Sequence, residues 1–265
     1  MHQKFIDDLG NEIHINFLPK KIVSLVPSIT ELLFDLGLNK EVVGITKFCE
    51  RPNHWFKNKT RVGGTKTINI DKINAFNPDL IIANKEENDQ KAIEQLQQKN
   101  PVWICDVKTW DDGLNMILKI GELTNTTPKA NEIVTNIKTN FEQLKTQAKT
   151  AATYLVWKEP LMVAGGDTFI DSMMQKAGFE NIFESQNRYP QISLKQLQQK
   201  APQFILLPSE PFPFKQKHLI ELQKQLPNSK CVLVDGQMFS WYGSRMLHFT
   251  KYINDLTTSL HKIDK

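Results

Sequence analysis

The stretch KIVSLVPSITELLFDLGL, residues 21–38, decides how the fold is read. "VSLV" is a short apolar run closed by a turn at Pro27-Ser28, the signature of a buried strand. "ITELLFDLGL" spaces its apolar residues for one helical face and stops at Gly37. A strand running through a tight turn into a helix belongs to a parallel sheet covered on both faces.

The unit recurs. YLVWKEPLMVAGG, residues 154–166, supplies strand material and a Gly165-Gly166 turn, and DTFIDSMMQKAGF, residues 167–179, reads as a helix closed by Gly178. The next elements match as well. INAFNPDLIIAN (residues 73–84) and LQQKAPQFILLP (residues 197–208) both read helix end, proline, strand. NPVWICDV and SKCVLVDG then place Asp106 and Asp235 at equivalent strand ends. The ordered set predicts two α/β lobes of one plan, residues 1–127 and 151–265. Between them, residues 128–150 repeat Ile133, Ile137, Phe141, Leu144 and Ala148 at three- or four-residue spacing, one apolar face of a long helix. Pro128 suits its first turn. A helix of roughly twenty residues spans about 30 Å, so the expectation is two Rossmann-like lobes with parallel sheets joined by a single backbone helix. Such a link permits modest hinge motion.

Composition sets bounds on partners. With 40% hydrophobic and 23% charged residues in 265, the chain is a packed globular protein. A net charge of +4 with mixed signs excludes a dedicated nucleic-acid surface. Cys49, Cys105 and Cys231 have neither disulfide nor zinc spacing, and the latter two sit in apolar runs that suit small buried side chains. The opening MHQKFIDDLGNEIHI lacks the basic-then-apolar layout of a signal peptide, and no run reaches transmembrane length. The chain as written is therefore expected to be a cytoplasmic monomer without membrane insertion, or periplasmic if a signal peptide was removed.

Ligands of open α/β sheets bind beyond the carboxyl ends of the strands, so the loops there are the candidates. Pro27 and Ser28 open a helix, where Ser28 and Glu31 form a capping box or free amides receive an anion. Gly166 and Asp167 invite the same two readings. Lys47, Phe48 and Cys49, with Glu50 and Arg51, put a thiol, a carboxylate and two cations in one loop, fit to hold a metal complex or to be a polar turn over one buried ring. Beside two cations the Cys49 thiolate is favoured and becomes a candidate axial ligand. The six histidines are scattered, so neither a protein-only metal site nor an intrinsic cofactor is expected. No nucleophile elbow, kinase set or zinc-protease helix occurs, so no catalytic residue is assigned, and Asp106 and Asp235 read as caps. Near the end, VDGQMFSWYGSRM (residues 234–246) gathers Phe239, Trp241, Tyr242 and Arg245 after a strand. It reads as a core corner or as a ligand-gripping wall. PSEPFPF (residues 208–214) is a proline-stiffened loop, either presenting Glu210 for docking or turning with its rings tucked in.

Taken in order, KIVSLVPSITELLFDLGL, VVGIT, RVGGTKTINIDKI, NPDLIIAN and AGFENIF resemble the periplasmic-binding-protein family serving cobalamin, haem and iron-siderophore ABC importers. The resemblance covers nearly the whole chain. It is nearest to the cobalamin-receptor branch, the helical-backbone metal receptors. It implies a non-catalytic solute-binding protein that holds a cobalamin-type corrinoid, haem or iron-siderophore in the cleft between two lobes, with an ABC permease as partner. Carried over by position, Phe48, Trp157 and the Trp241, Tyr242, Arg245 loop would contact the ligand. Thr65 and Asn84 stand where that branch carries tryptophans, which counts against cobalamin itself and leaves a bulky metal chelate open. The family docks through one glutamate per lobe. Glu210 fits the second lobe; at the first, Gln90 aligns, with Glu86 and Glu87 just before it, and Glu87 is the candidate. Two alternatives use the same fold: a cytoplasmic carrier or sensor, and an enzyme acting on the chelate through Cys49 with Lys47 or Asp235.

Overall fold

The computed structural model describes residues 2–16, 18–144 and 149–263. The chain divides into two units. One comprises Met1–Val107, Asp111–Ile137 and Tyr242–Arg245; the other comprises Lys108–Trp110, Lys138–Trp241 and Met246–Lys265. Neither is one continuous stretch, because the short segment Tyr242–Arg245 belongs to the first unit although it follows the whole of the second unit's sheet.

The first unit opens with an antiparallel hairpin of β1 (His2–Ile6) and β2 (Glu12–Asn16), a pair of strands not read in the sequence. Asp7 closes its turn: one carboxylate oxygen accepts from the N–H groups of Leu9 and Asn11. The chain then runs through β3 (Ile22–Ser24), α1 (Pro27–Asp35), β4 (Val42–Ile45), α2 (Asn53–Asn58), β5 (Thr60–Arg61), α3 (Ile70–Phe76), β6 (Leu80–Asn84), α4 (Gln90–Gln97), β7 (Val102–Cys105) and α5 (Trp110–Leu123). Five parallel strands pair in the order β5-β4-β3-β6-β7. Val23, Leu25, Ile81, Ala83, Val102 and Ile104 form one packed cluster. Their neighbours Ile22, Leu80, Ile82 and Trp103 are buried too. Strands apolar on both faces mean a sheet covered on both faces, which accounts for continuous rather than alternating runs.

After α6 (Thr127–Glu142) the second unit contains β8 (Thr150–Trp157), β9 (Met162–Val163), α7 (Phe169–Lys176), β10 (Phe179–Asn181), α8 (Leu194–Lys200), β11 (Phe204–Pro208), α9 (Gln216–Gln225), β12 (Lys230–Val234), α10 (Gly236–Ser240) and α11 (Phe249–Ile263), and a 3-10 turn at Ser244–His248 begins in the first unit's Tyr242–Arg245 segment. Its parallel path is β10-β8-β11-β12, with β9 antiparallel on β8. The repeat read in the sequence is therefore topological: β4-β3-β6-β7 corresponds to β10-β8-β11-β12. It extends to single dihedrals. Gly37 and Gly178 close α1 and α7 at φ of 88° and 84°. Asn77 and Ala201 end α3 and α8 in the left-handed region, each just before a proline.

The helix expected over residues 128–150 runs from Thr127 to Glu142, about 24 Å at 1.5 Å per residue. Its last turn tightens into i→i+3 bonds, Gln143 N–H to Asn140 O and Leu144 N–H to Phe141 O, a common way to satisfy terminal carbonyls. Ala148, assigned to the same apolar face, lies outside the described residues. Among the described residues no helix is long and apolar enough to cross a membrane.

Candidate functional site

Each parallel sheet has a switch point. In the first unit the chain winds outward from β3 to β4 and β5, then returns on the other side as β6 and β7. The loops beyond the carboxyl ends of β3 and β6 therefore diverge and leave a crevice, the general ligand position of this architecture. Asn88 holds these loops together. Its Oδ1 accepts from Asn84 N–H at 2.8 Å, and its Nδ2 donates to Leu25 O at 3.1 Å and to Thr65 O at 3.2 Å. Sequence reading missed this residue, because an asparagine in "NKEEND" carries no signal of where its amide will point.

The start of α1 differs from its expected form. Val26 is the cap residue and Pro27 occupies the first turn, so Ser28 lies inside the helix and is buried. Glu31 completes no capping box. Its carboxylate binds Arg245 on both oxygens, with Nε donating to Oε2 at 2.9 Å and the terminal guanidinium nitrogen to Oε1. Both side chains are largely removed from solvent. Burial pushes the Glu31 carboxyl above its ordinary range, and the Arg245 charge pulls it part of the way back. Arg245 was expected to meet a ligand oxygen; its guanidinium is instead a buried counter-ion. Tyr242, also buried, donates its hydroxyl to Glu87 Oε1 at 2.9 Å.

Cys49 is likewise not a free ligand. Its sulfur lies in the core between the hydroxyls of Thr30 and Thr46, 3.1 Å from each. Burial pushes the thiol up to about 11, the opposite of the thiolate expected from neighbouring cations. The side chains on either side of it in sequence diverge. Phe48 exposes 49% of its surface, and the Lys47 ammonium lies 5.0 Å from the centre of its ring. Thr65 is half-buried, its carbonyl taken by Asn88.

We expect all three thiols to be silent in the native protein, since Cys49, Cys105 and Cys231 are all buried. A colourimetric thiol titration at pH 8 should label none of them quickly, and all three once the chain is unfolded in denaturant. Rapid native labelling of Cys49 would place its sulfur at the surface.

In the second unit the equivalent switch point lies between β8 and β11. Trp157 ends β8 and is 41% exposed. Its indole N–H donates to Glu159 O at 3.1 Å, and Phe212 meets it edge to face at 5.5 Å. Phe212 packs in turn on Phe214 and His218. The "PFPF" rings are thus tucked in, and they fix the orientation of Trp157. Glu210 was expected to stand exposed for docking. It is half-buried and accepts from Trp241 Nε1 at 2.6 Å and Ser240 Oγ at 3.3 Å. Burial pushes its carboxyl up, while the Trp241 hydrogen bond opposes that shift. Trp241 itself is 6% exposed. The two successive rings Trp241 and Tyr242 thus satisfy Glu210 in one unit and Glu87 in the other.

The glycine pair before α7 owes its identity to packing. A Cβ on Gly165 would lie 2.2 Å from Gln186 O, and one on Gly166 would lie 2.0 Å from Glu184 O. Their amides are spent on Arg188 O and Gln186 O at 2.8 and 2.9 Å, so they do not await an anion. Asp167 accepts from Arg188 N–H, and Thr168 caps α7. Asp235 caps α10 and Asp106 pairs with Lys85 at 2.7 Å. Among the described residues, Phe48 and Trp157 are the exposed large aromatic side chains.

Residues 22–224 match the family model described as periplasmic binding protein. The vitamin B12-binding protein of Pectobacterium carotovorum subsp. carotovorum (strain PC1) is 27% identical over 202 residues, 73% of either chain. Among solved structures, a possible iron-binding (periplasmic solute-binding) protein of Staphylococcus epidermidis superposes with a TM-score of 0.76 at 23% identity, covering 91% of this chain and 98% of that one. A periplasmic haem-binding protein of Pseudomonas aeruginosa does so with a TM-score of 0.77 at 18% identity, covering 90% and 92%.

Proposed function

We propose, from the premise that this chain belongs to the periplasmic binding protein family, that it is a solute-binding protein delivering a bulky metal chelate to an ABC-type importer. The chelate is a corrinoid, haem or iron-siderophore, a reading supported by relatives and structural neighbours named for vitamin B12, haem and Fe3+-hydroxamate. The observation that carries the reading is the pair of exposed rings, Phe48 and Trp157, each at the carboxyl edge of a parallel sheet. Large solvent-facing aromatics there have no packing reason to be exposed, and they suit the broad face of a macrocycle or an aromatic chelator. The role is binding without catalysis: Cys49, the nucleophile an enzymatic reading would need, is a core thiol raised to about 11. On this reading the protein works as a monomer outside the cytoplasmic membrane with a permease as partner. Fractionation of the native host tests the location.

Trp157→Ala should weaken chelate binding about tenfold, combining lost stacking of about 0.5–1.5 kcal/mol with lost apolar burial. Its melting temperature should barely move, because the ring is surface-exposed. Calorimetric titration of wild type and variant with cyanocobalamin, iron protoporphyrin and a ferric trihydroxamate checks this. Equal affinities for every bound chelate would remove Trp157 from the site, and no binding by the wild type would remove the proposal.

A further inference from the structure

The cations that follow the strands of the first sheet are not equivalent. Lys85 is paired with Asp106 at 2.7 Å. Lys66 donates to Glu86 O at 2.6 Å and to Asn88 O at 3.2 Å. Lys47 differs: among the described residues no carboxylate or carbonyl holds its ammonium, which rests over the exposed ring of Phe48. Its position is nonetheless defined. Its backbone N–H donates to Gly63 O at 2.8 Å, and both its Cε and the Phe48 ring edge lie within 3.3 Å of where a Cβ on Gly64 would stand. A side chain at Gly64 would push the lysine stem and the ring aside together.

An ammonium with no carboxylate partner among the described residues, on a ring that is itself exposed, offers a ligand one apolar face and one positive charge side by side. Resting on the chelate-binding reading above, we infer that the ligand carries an anionic group next to its apolar face and that Lys47 selects for it. The ring contacts the conjugated or aliphatic part, and the ammonium takes a carboxylate or catecholate oxygen in a charge-assisted hydrogen bond. A neutral chelate fills the apolar contact but leaves the ammonium without a partner, so it gains nothing from the charge. Lys47 is a specificity-determining residue on this account, whereas Phe48 and Trp157 bind any chelate with a broad apolar face.

The test measures affinity by fluorescence titration for wild type, Lys47→Gln and Lys47→Arg. The probes are iron protoporphyrin and a ferric triscatecholate, both anionic, and a neutral ferric trihydroxamate, each at low and high salt. The expected result is preferred binding of an anionic probe, weakened roughly tenfold to a hundredfold by Lys47→Gln, largely retained by Lys47→Arg, and reduced by salt. Binding of the neutral probe should change less than twofold in Lys47→Gln. An anionic probe bound equally by wild type and Lys47→Gln overturns the inference while leaving the chelate-binding reading intact. Preference of the wild type for the neutral probe has the same effect. Failure of the wild type to bind any chelate overturns both. Melting curves of the variants, expected to coincide with wild type, show that a change in affinity is not a change in folding.

Discussion

Arg245→Ala is expected to lower the free energy of unfolding by about 3–5 kcal/mol, because it leaves the Glu31 carboxylate buried without its counter-ion. At about 2–4 °C per kcal/mol for a chain of this size, the melting temperature should fall by roughly ten degrees. The loss should depend on pH. Burial already raises the Glu31 carboxyl above its ordinary 4.5, and removing Arg245 removes the larger of the two charges that oppose the shift, leaving Arg51. A carboxyl whose folded pKa lies above its unfolded value is best accommodated below the unfolded value. That accommodation is lost as pH rises through the folded pKa. The deficit of Arg245→Ala should therefore be larger at pH 7 than at pH 5. Denaturant melts at the two pH values decide it. An unchanged melt with a tenfold loss of chelate affinity would mean that the guanidinium serves the ligand.

Trp241→Ala should cost about 3–5 kcal/mol, the usual loss for deleting a buried aromatic side chain. Trp241→Phe separates the two contributions of the residue. It keeps most of the apolar volume and removes the N–H that reaches Glu210 at 2.6 Å. That loss should amount to about 1.5–3 kcal/mol, the value of a hydrogen bond to a charged group. Urea denaturation of both variants measures the pair. A Trp241→Ala protein as stable as wild type, with weakened ligand binding, would restore the ring to the ligand wall.

The architecture was legible because it rests on local rules. Short apolar runs bounded by turns, helices closed at Gly37 and Gly178, and prolines after the left-handed caps Asn77 and Ala201 each write backbone conformation directly into residue type. The hairpin before residue 17 was missed although its alternation was present, since the run of charged residues around Asp7 and Asp8 reads as loop when no partner strand is considered. Side-chain partners were hardly legible at all. Arg245 and Glu31 are 214 residues apart, and Tyr242 and Glu87 are 155 apart. No spacing rule joins them, so an arginine beside two rings looked like a ligand loop. Cys49 misled for the same reason: its cationic neighbours in sequence point elsewhere, and its real surroundings are two threonine hydroxyls. Phe48 and Trp157 come from the family resemblance, carried over by position, and both are exposed at a sheet edge. Their role toward a ligand belongs to the proposal.

The most direct measurement is the absorption spectrum of the protein purified from its native host, recorded before and after adding corrinoid, haem and ferric siderophore complexes. We predict a visible band at one chelate per chain, either co-purified or built up by saturable addition of one of the three classes. A spectrum that stays featureless beyond the protein's own absorption after all three additions would contradict the account.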